Sequence, residues 1–363
     1  MVSMEKKLIR FVTAFVGILA AVTVTALFYF PDIHLKAEEA AALKKQKDTE
    51  LAADMTGLEM LDYNTANAQE IDEEETFSQQ LRLELPQGVS QGDVTIEDSY
   101  ITQTIKITIP NAGGEYLYDY PMIGKSDHID NLNYESQNGE GVLEIALDQV
   151  FEVDSSFDGQ YLYLDFLTPQ EVYDKVVVID AGHGSKAPGA VKQGIYEKDI
   201  DLAIAMQLKA IVDEDKEHNI GVYFTRTDDS NPSFEQRVQL ANKSHADLFI
   251  SIHNNSTKSG RFSSICGTAV MYDEQKSEEE LGTKHLAEIC LEEVTGALGS
   301  ANKGLVSGND IYIIRESEVP VALIEVGFMT NQQELNRLNT PEYQKQAATG
   351  IYNAILRAIE EGY

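Results

Sequence analysis

The 363-residue sequence predicts an α/β fold: a mixed, mostly parallel sheet of about six strands with helices on both faces, preceded by a small all-β domain and an N-terminal transmembrane helix. Three observations predict it. From Lys175 onward, short β-branched runs alternate with amphipathic stretches, the pattern of buried parallel strands joined by helices. Before them, period-2 segments separated by glycine turns fill residues 77–170. At the start, Lys6, Lys7 and Arg10 precede an uncharged run from Phe11 to Phe30.

At about 1.5 Å per residue, a helix over that run spans roughly 30 Å, the thickness of bilayer hydrocarbon. The flanking positive charges predict a cytoplasmic N-terminus, with everything after Pro31 outside. Residues 1–31 therefore read as a cytoplasmic tip and transmembrane signal anchor of a single-pass cell-membrane protein. Val24-Thr25-Ala26 fits a small-residue cleavage site, and a cleaved signal would leave a secreted chain. Continuation of the apolar run through Leu27-Phe28-Tyr29-Phe30 favours retention. Both readings put the bulk of the chain outside the cytoplasm.

Residues 32–76, rich in Ala, Glu, Lys and Asp, read as an acidic spacer in which Ala37–Leu51 suits a charged helix. In the all-β segment, Leu81–Leu85, Thr104–Ile109, Val142–Leu147 and Tyr161–Phe166 alternate apolar and polar residues. Gly88, Gly92, Gly113-Gly114, Gly139 and Asp158-Gly159 separate them, and the expectation is a small antiparallel sandwich or barrel. In the last segment, 175–363, strands are expected over Val176–Ile179, Gly221–Thr225, Asp247–Ile252, Thr268–Tyr272, Asp310–Arg315 and Ala322–Ile324. Helices are expected over Asp199–Glu217, Ser233–Ala246, Glu278–Leu298 and Pro341–Glu360.

Charge narrows the function. The formal net charge is −32, against nucleic acid as a partner, since phosphate contacts need basic patches. The most acidic stretch is 76–174, where Arg82, Lys106 and Lys125 are the only positive side chains. Cys266 and Cys290 are not spaced as metal ligands; a disulfide between them suits an extracytoplasmic chain, two buried thiols being the plainer reading. The sequence does not set an oligomeric state.

Four polar residues end or closely follow apolar runs. His183 follows Val176-Val177-Val178-Ile179-Asp180-Ala181-Gly182, His253 follows Leu248-Phe249-Ile250-Ser251-Ile252, Glu325 follows Ala322-Leu323-Ile324, and Glu197 comes fourteen residues after His183. In an open α/β sheet, chemistry collects beyond the carboxyl ends of the strands. Two histidines and a carboxylate are the ligand set of a hydrolytic zinc ion, and a second carboxylate would serve as base. Spacing alone does not say which glutamate binds and which acts as base. His34, His128, His218, His245 and His285 read as solvated or hydrogen-bonded imidazoles.

The blocks around these positions carry a resemblance. Val177–Gly184, Pro188-Gly189-Ala190 and Glu197-Lys198-Asp199 open it. Thr225-Arg226-Thr227-Asp228, Arg237, Ala241-Asn242 and Ala246-Asp247 continue it, and Ser251–Ser256 and Glu325–Asn331 complete it. In that order they resemble the N-acetylmuramoyl-L-alanine amidase family of the "amidase 3" type, over about Lys175 to the C-terminus. Ser185 replaces a usual glycine and Ala187 a frequent aspartate, departures that bear on loop shape. The resemblance implies Zn2+ held by His183, Glu197 and His253, with Glu325 as the catalytic base. Asn255 is then expected to orient water or substrate, whereas Arg237 and Asp247 read as structural. The implied activity is hydrolysis of the amide between N-acetylmuramic acid and L-alanine in peptidoglycan, outside the membrane. The β-segment's position resembles the AMIN-type domain that accompanies such amidases, a generic β spacer being the alternative.

Two other functions use the same residues differently. A zinc carboxypeptidase or endopeptidase would cut within the stem peptide with the same metal chemistry. A non-catalytic wall-binding scaffold would lack a ligand or the base, and all four are present. The ten residues Thr257–Cys266 after the His253 block suit a loop, too short for a helix that covers a cleft.

Overall fold

The structure is a computed structural model that describes residues 57–71, 79–276 and 281–363. The membrane segment at Phe11–Phe30, the charged helix at Ala37–Leu51 and His34 lie outside the described residues. Among the described residues, no helix is long and apolar enough to cross a membrane. Contacts divide the chain into two units, Met1–Met60 and Leu61–Tyr363.

Helix α1, Gly57–Ile71, falls in the stretch expected as a solvated spacer. Its second-unit part behaves otherwise: Leu61 is fully buried, and the Thr65 hydroxyl donates to the Gly124 carbonyl and accepts from the Gly124 amide.

Eight strands follow: β1 (Leu81–Glu84), β2 (Thr95–Ser99), β3 (Thr104–Pro110), β4 (Ile123–Gly124), β5 (Ile129–Gln137), β6 (Glu140–Leu147), β7 (Glu152–Phe157) and β8 (Tyr161–Leu167). They form two four-stranded antiparallel sheets, ordered β4-β1-β8-β7 and β2-β3-β6-β5. The period-2 residues Leu81, Leu83, Ile105, Ile107, Ile109, Leu143, Ile145, Leu162 and Leu164 are all buried, so alternation alone fixed which face turned inward.

This β-region is not a detached spacer. Val150 belongs to the same apolar cluster as Val176, Val178, Tyr223, Val238 and Phe249. The Val150 amide donates to the Lys243 carbonyl, and the Tyr100 and Tyr223 hydroxyls both donate to Glu152. A single turn at Pro169–Val172, capped by Thr168 and Glu171, joins the two regions.

The rest is a six-stranded sheet with helices on both faces. Its elements are β9 (Lys175–Ala181), a hairpin of β10 (Val191–Lys192) and β11 (Ile195–Tyr196), α2 (Glu197–Glu214), β12 (Ile220–Phe224), α3 (Phe234–Lys243) and β13 (Leu248–Asn255). Then come β14 (Thr268–Tyr272), α4 (Thr283–Leu298), β15 (Asn302–Ser307), α5 (Tyr312–Arg315), β16 (Val321–Phe328), α6 (Gln332–Leu338) and α7 (Pro341–Glu360). The order is β12-β9-β13-β16-β14-β15, parallel except where β14 meets β16. Val177, Ile179 and Ala181 join the core under α2, α4 and α7, while Val176 and Val178 face the α3 and α5 side. Burial on both faces explains the unbroken β-branched runs.

The strand expected at Asp310–Arg315 is instead the helical turn α5, and the sixth strand is β15. Gly308-Asn309-Asp310 is a turn signal, and one helical turn buries the adjacent Ile313 and Ile314 together. The edge strand β15 is largely exposed and carries Gly304, so its apolar signal is weak. Helix α2 starts at Glu197, so this glutamate lies in its first turn instead of preceding it. The expected start of α4 at Glu278 lies outside the described residues. Both cysteines are free, Cys266 exposed and Cys290 in the core, so they form no disulfide.

Candidate metal centre and active site

Parallel register brings three strand ends to one edge. Ile252 of β13 pairs with Ala181 of β9, and His253 pairs with Glu325 of β16. His183 emerges two residues beyond β9, so both histidines and Glu325 collect at the carboxyl ends of adjacent strands. Glu197 arrives from the side, at the start of α2. Its Oε1 lies 3.0 Å from His183 Nε2 and 3.1 Å from His253 Nδ1. The two imidazole rings meet edge to face with centroids 4.8 Å apart.

Backbone amides hold the carboxylate. Ala190 N–H donates to Glu197 Oε2 at 2.6 Å, and Asn254 N–H donates to Oε1 at 3.1 Å. Two glycines make the approach feasible. A Cβ on Gly182 would sit 2.4 Å from the His253 ring, and one on Gly189, at φ +67°, would sit 2.5 Å from Glu197 Oε2.

Two arginines brace the loop that carries His183, which takes the left-handed φ of +59°. Buried Arg237 donates to the carbonyls of Ala181 and His183 and to Asp180 Oδ1. Buried Arg226 donates to the carbonyls of Ala181, Gly182 and Lys198. The residues that depart from the family pattern still close the loop. Gly184 and Ala187 exchange backbone hydrogen bonds, and Ser185 N–H donates to Asp229, which also pairs with Lys198.

Sequence reasoning missed Asp201 and Asn254. Asp201 is one helical turn after Glu197 and fully buried; its Oδ1 accepts from Asn254 Nδ2 at 2.8 Å. His183, Glu197, Asp201 and His253 offer ligand atoms all within 4.8 Å of one another. The signal for Asp201 was available: i,i+4 from Glu197, it shares a helix face with buried Ile204, Ala205 and Leu208. Asn255 lines the cleft, but it is the neighbouring Asn254 that contacts Glu197 and Asp201. Arg237 is structural in its contacts, and Asp247 pairs with Lys175. His128, His218 and His285 pair with Asp148, Asp215 and Glu361, away from the cleft.

The electrostatics are those of a cavity built for positive charge. Burial pushes the Glu325 carboxyl up to about 7, with the charge of His253 opposing and that of Glu197 adding. Burial, then the charge of Glu197, drives Asp201 well above the usual carboxylate range. For Glu197 burial is outweighed by hydrogen bonds from His183 and His253, which hold it well below that range. Burial likewise opposes but does not prevent a rise of His253 to about 9, caused by its hydrogen bond to Glu197. Glu325 Oε2 and Asp201 Oδ2 are buried without a hydrogen-bond partner. Buried carboxylate oxygens in that state favour a cation nearby, and two imidazoles with a carboxylate are a donor set for a divalent transition metal. The residues fit such an ion.

The comparisons then decide the family. A model of the N-acetylmuramoyl-L-alanine amidase family matches residues 177–357. The germination-specific N-acetylmuramoyl-L-alanine amidase of Bacillus subtilis is 32% identical over 201 residues, covering 52% of this chain and 81% of that protein. The chain belongs to the N-acetylmuramoyl-L-alanine amidase family. It is a hydrolase of that class. Uncharacterized protein YqiI of Bacillus subtilis is 36% identical over 186 residues, 51% of this chain and 85% of that one. Among solved structures, the catalytic domain of CwlV, an N-acetylmuramoyl-L-alanine amidase from Bacillus (Paenibacillus) polymyxa var. colistinus, is 34% identical. It covers 51% of this chain and 98% of that one, with a TM-score of 0.46. In this amidase, Thr257–Cys266 is a loop without helix, as its length predicts.

Proposed function

We propose that this amidase uses zinc to hydrolyse the amide joining the lactyl carbonyl of N-acetylmuramic acid to the L-alanine of the stem peptide. The observation that carries the reading is the convergence of His183, Glu197 and His253 on one point, with Glu325 paired in register beside His253.

His183, Glu197 and His253 would hold the ion. Zinc, when bound, supplies Lewis acidity that acidifies water and polarises a carbonyl. Glu325 takes the proton of the attacking water and returns it to the departing amine; its buried, unpartnered Oε2 is free for that exchange. The Asn254 backbone amide keeps Glu197 oriented, as an outer-shell partner of a metal site does, and the Asn254 side chain is itself held by Asp201. Asn255, on the cleft wall, orients water or substrate.

Residues 1–31 anchor the chain, 32–76 bridge to 77–170, and 175–363 act on peptidoglycan outside the cytoplasmic membrane. Support comes from the uncharged run behind Lys6, Lys7 and Arg10.

Digestion of purified peptidoglycan by the zinc-loaded full chain, followed by mass analysis, tests the activity. The expected products are stem peptides with a free L-alanine amine and glycan that retains its lactyl carboxylate. Peptides shortened from within, or no release, would overturn it.

A further inference from the structure

The cleft, about 500 Å³, is lined by His183, Glu197, His253 and Glu325 and, beside them, by apolar side chains. Leu323 is two residues before Glu325 on β16 and pairs in register with Met271, so these two continue the face that carries the base. Phe234, Ile311 and Tyr312 complete the apolar part as the exposed rim. The rim residues are exposed by 66%, 36% and 37% respectively. Phe234 and Tyr312 are the first residues of α3 and α5, and their rings lie nearly parallel, at 28°, with centroids 6.2 Å apart. The start of α3 does not need an aromatic, since Ser233 already caps it through the Gln236 amide. Contiguous exposed apolar surface at the mouth of a cleft marks a recognition site.

We propose that Phe234, Tyr312 and Ile311 form a glycan platform on which a pyranose ring of the peptidoglycan strand lies while its lactyl amide reaches Glu325. The proposal rests on the amidase reading. A sugar ring offers a face of C–H groups to an aromatic ring and its hydroxyls to polar groups at the edge. The Tyr312 hydroxyl, Asp310, Asn255 and Ser256 supply such groups along the same cleft. Charge argues for sugar over stem peptide, whose free carboxylates call for cations. Arg237, the one arginine or lysine among the lining residues, is buried and committed to Asp180 and backbone carbonyls, and His253 is committed to Glu197. Arg315 is paired with Glu316, and its guanidinium lies over the Tyr312 ring, 5.8 Å from the ring centre, so one face of that ring is already taken by a committed cation. Asp310 adds a negative charge that would repel a carboxylate.

The chain contains no tryptophan, so Phe234→Trp in the full-length protein places a single indole on the platform. Chitotetraose, a neutral N-acetylglucosamine tetramer, should shift its emission saturably, whereas the dipeptide L-Ala-D-Glu should not. Adding Tyr312→Ala should weaken the chitotetraose response about tenfold, as expected for one lost aromatic contact. With the native residues, kcat/KM for N-acetylmuramoyl-L-alanyl-D-isoglutamine should exceed that for the sugar-free lactyl-L-alanyl-D-isoglutamine. Tyr312→Ala should reduce that ratio about tenfold, and Tyr312→Phe should largely restore it. No response to millimolar chitotetraose, a response to the dipeptide instead, or an unchanged ratio would overturn the platform. A protein that binds chitotetraose yet cuts neither substrate would keep the platform and remove the amidase reading.

Discussion

The β-region and the catalytic region solve the same packing problem and differ in what ends their strands. Both bury aliphatic runs completely: Ile105, Ile107 and Ile109 in one, Val176 to Ile179 in the other. Strands of the β-region run into turns whose polar groups are satisfied locally, as where Asp158 accepts from the Gln160 and Tyr161 amides. In the catalytic region, β9, β13 and β16 deliver His183, His253 and Glu325 into a shared cleft, and Glu325 and nearby Asp201 keep buried oxygens unpartnered. Folding alone gives no reason to leave a buried carboxylate unpaired, so the second pattern marks chemistry where the first marks packing.

Substitutions at the two kinds of position should separate function from fold. The largest effect is expected for His183→Ala and His253→Ala, which should purify folded with little zinc and no turnover. Full zinc occupancy, by elemental analysis, would show that the ligands are elsewhere. Next comes Arg237→Ala, which leaves Asp180, buried at 1% exposure, without its charge partner. Denaturant unfolding should report a loss of about 3–5 kcal/mol, as when one partner of a buried pair is removed. Ile107→Ala, in the β-region, should cost about 2–5 kcal/mol of stability and leave the zinc content of the folded protein unchanged. A fall in zinc content there would mean that the two regions are coupled more tightly than their shared contacts imply.

A smaller effect concerns acid. Burial raises the pKa of Asp180, but the charge of Arg237 and hydrogen bonds from Ser251 and Thr225 win and hold it below the ordinary value. A depressed folded pKa means stability fully present above the unfolded value of about 3.9 and lost as pH falls through the folded one. Asp180→Asn should therefore flatten the acid limb of the stability–pH curve, whatever it does to stability at neutral pH. An unchanged limb would assign acid sensitivity to other carboxylates.

Much of this was legible in the chain. The β-branched runs gave the strands because burial on both faces demands them, and the polar residue after each run gave His183, His253 and Glu325. What lay hidden depends on tertiary approach. Asp201 shares a helix face with Glu197 by its i,i+4 spacing, but on a helix rich in acidic residues that spacing is inconspicuous, and its pairing with Asn254 of β13 comes only from the fold. Phe234 and Tyr312 are 78 positions apart by their numbering and meet because α3 and α5 share one face of the sheet. The strand β15 was missed because an exposed edge with a glycine carries little hydrophobic period.

The two glutamates divide the labour, Glu197 holding the metal and Glu325 moving the proton, and parallel metal and rate measurements on Glu325→Gln and Glu197→Gln test that division. Glu325→Gln should keep zinc while turnover on peptidoglycan falls by about a hundredfold or more, the contribution of a general base. Glu197→Gln should lose zinc together with activity. If Glu325→Gln sheds the metal and Glu197→Gln retains it, the roles are reversed and the site has been read the wrong way round.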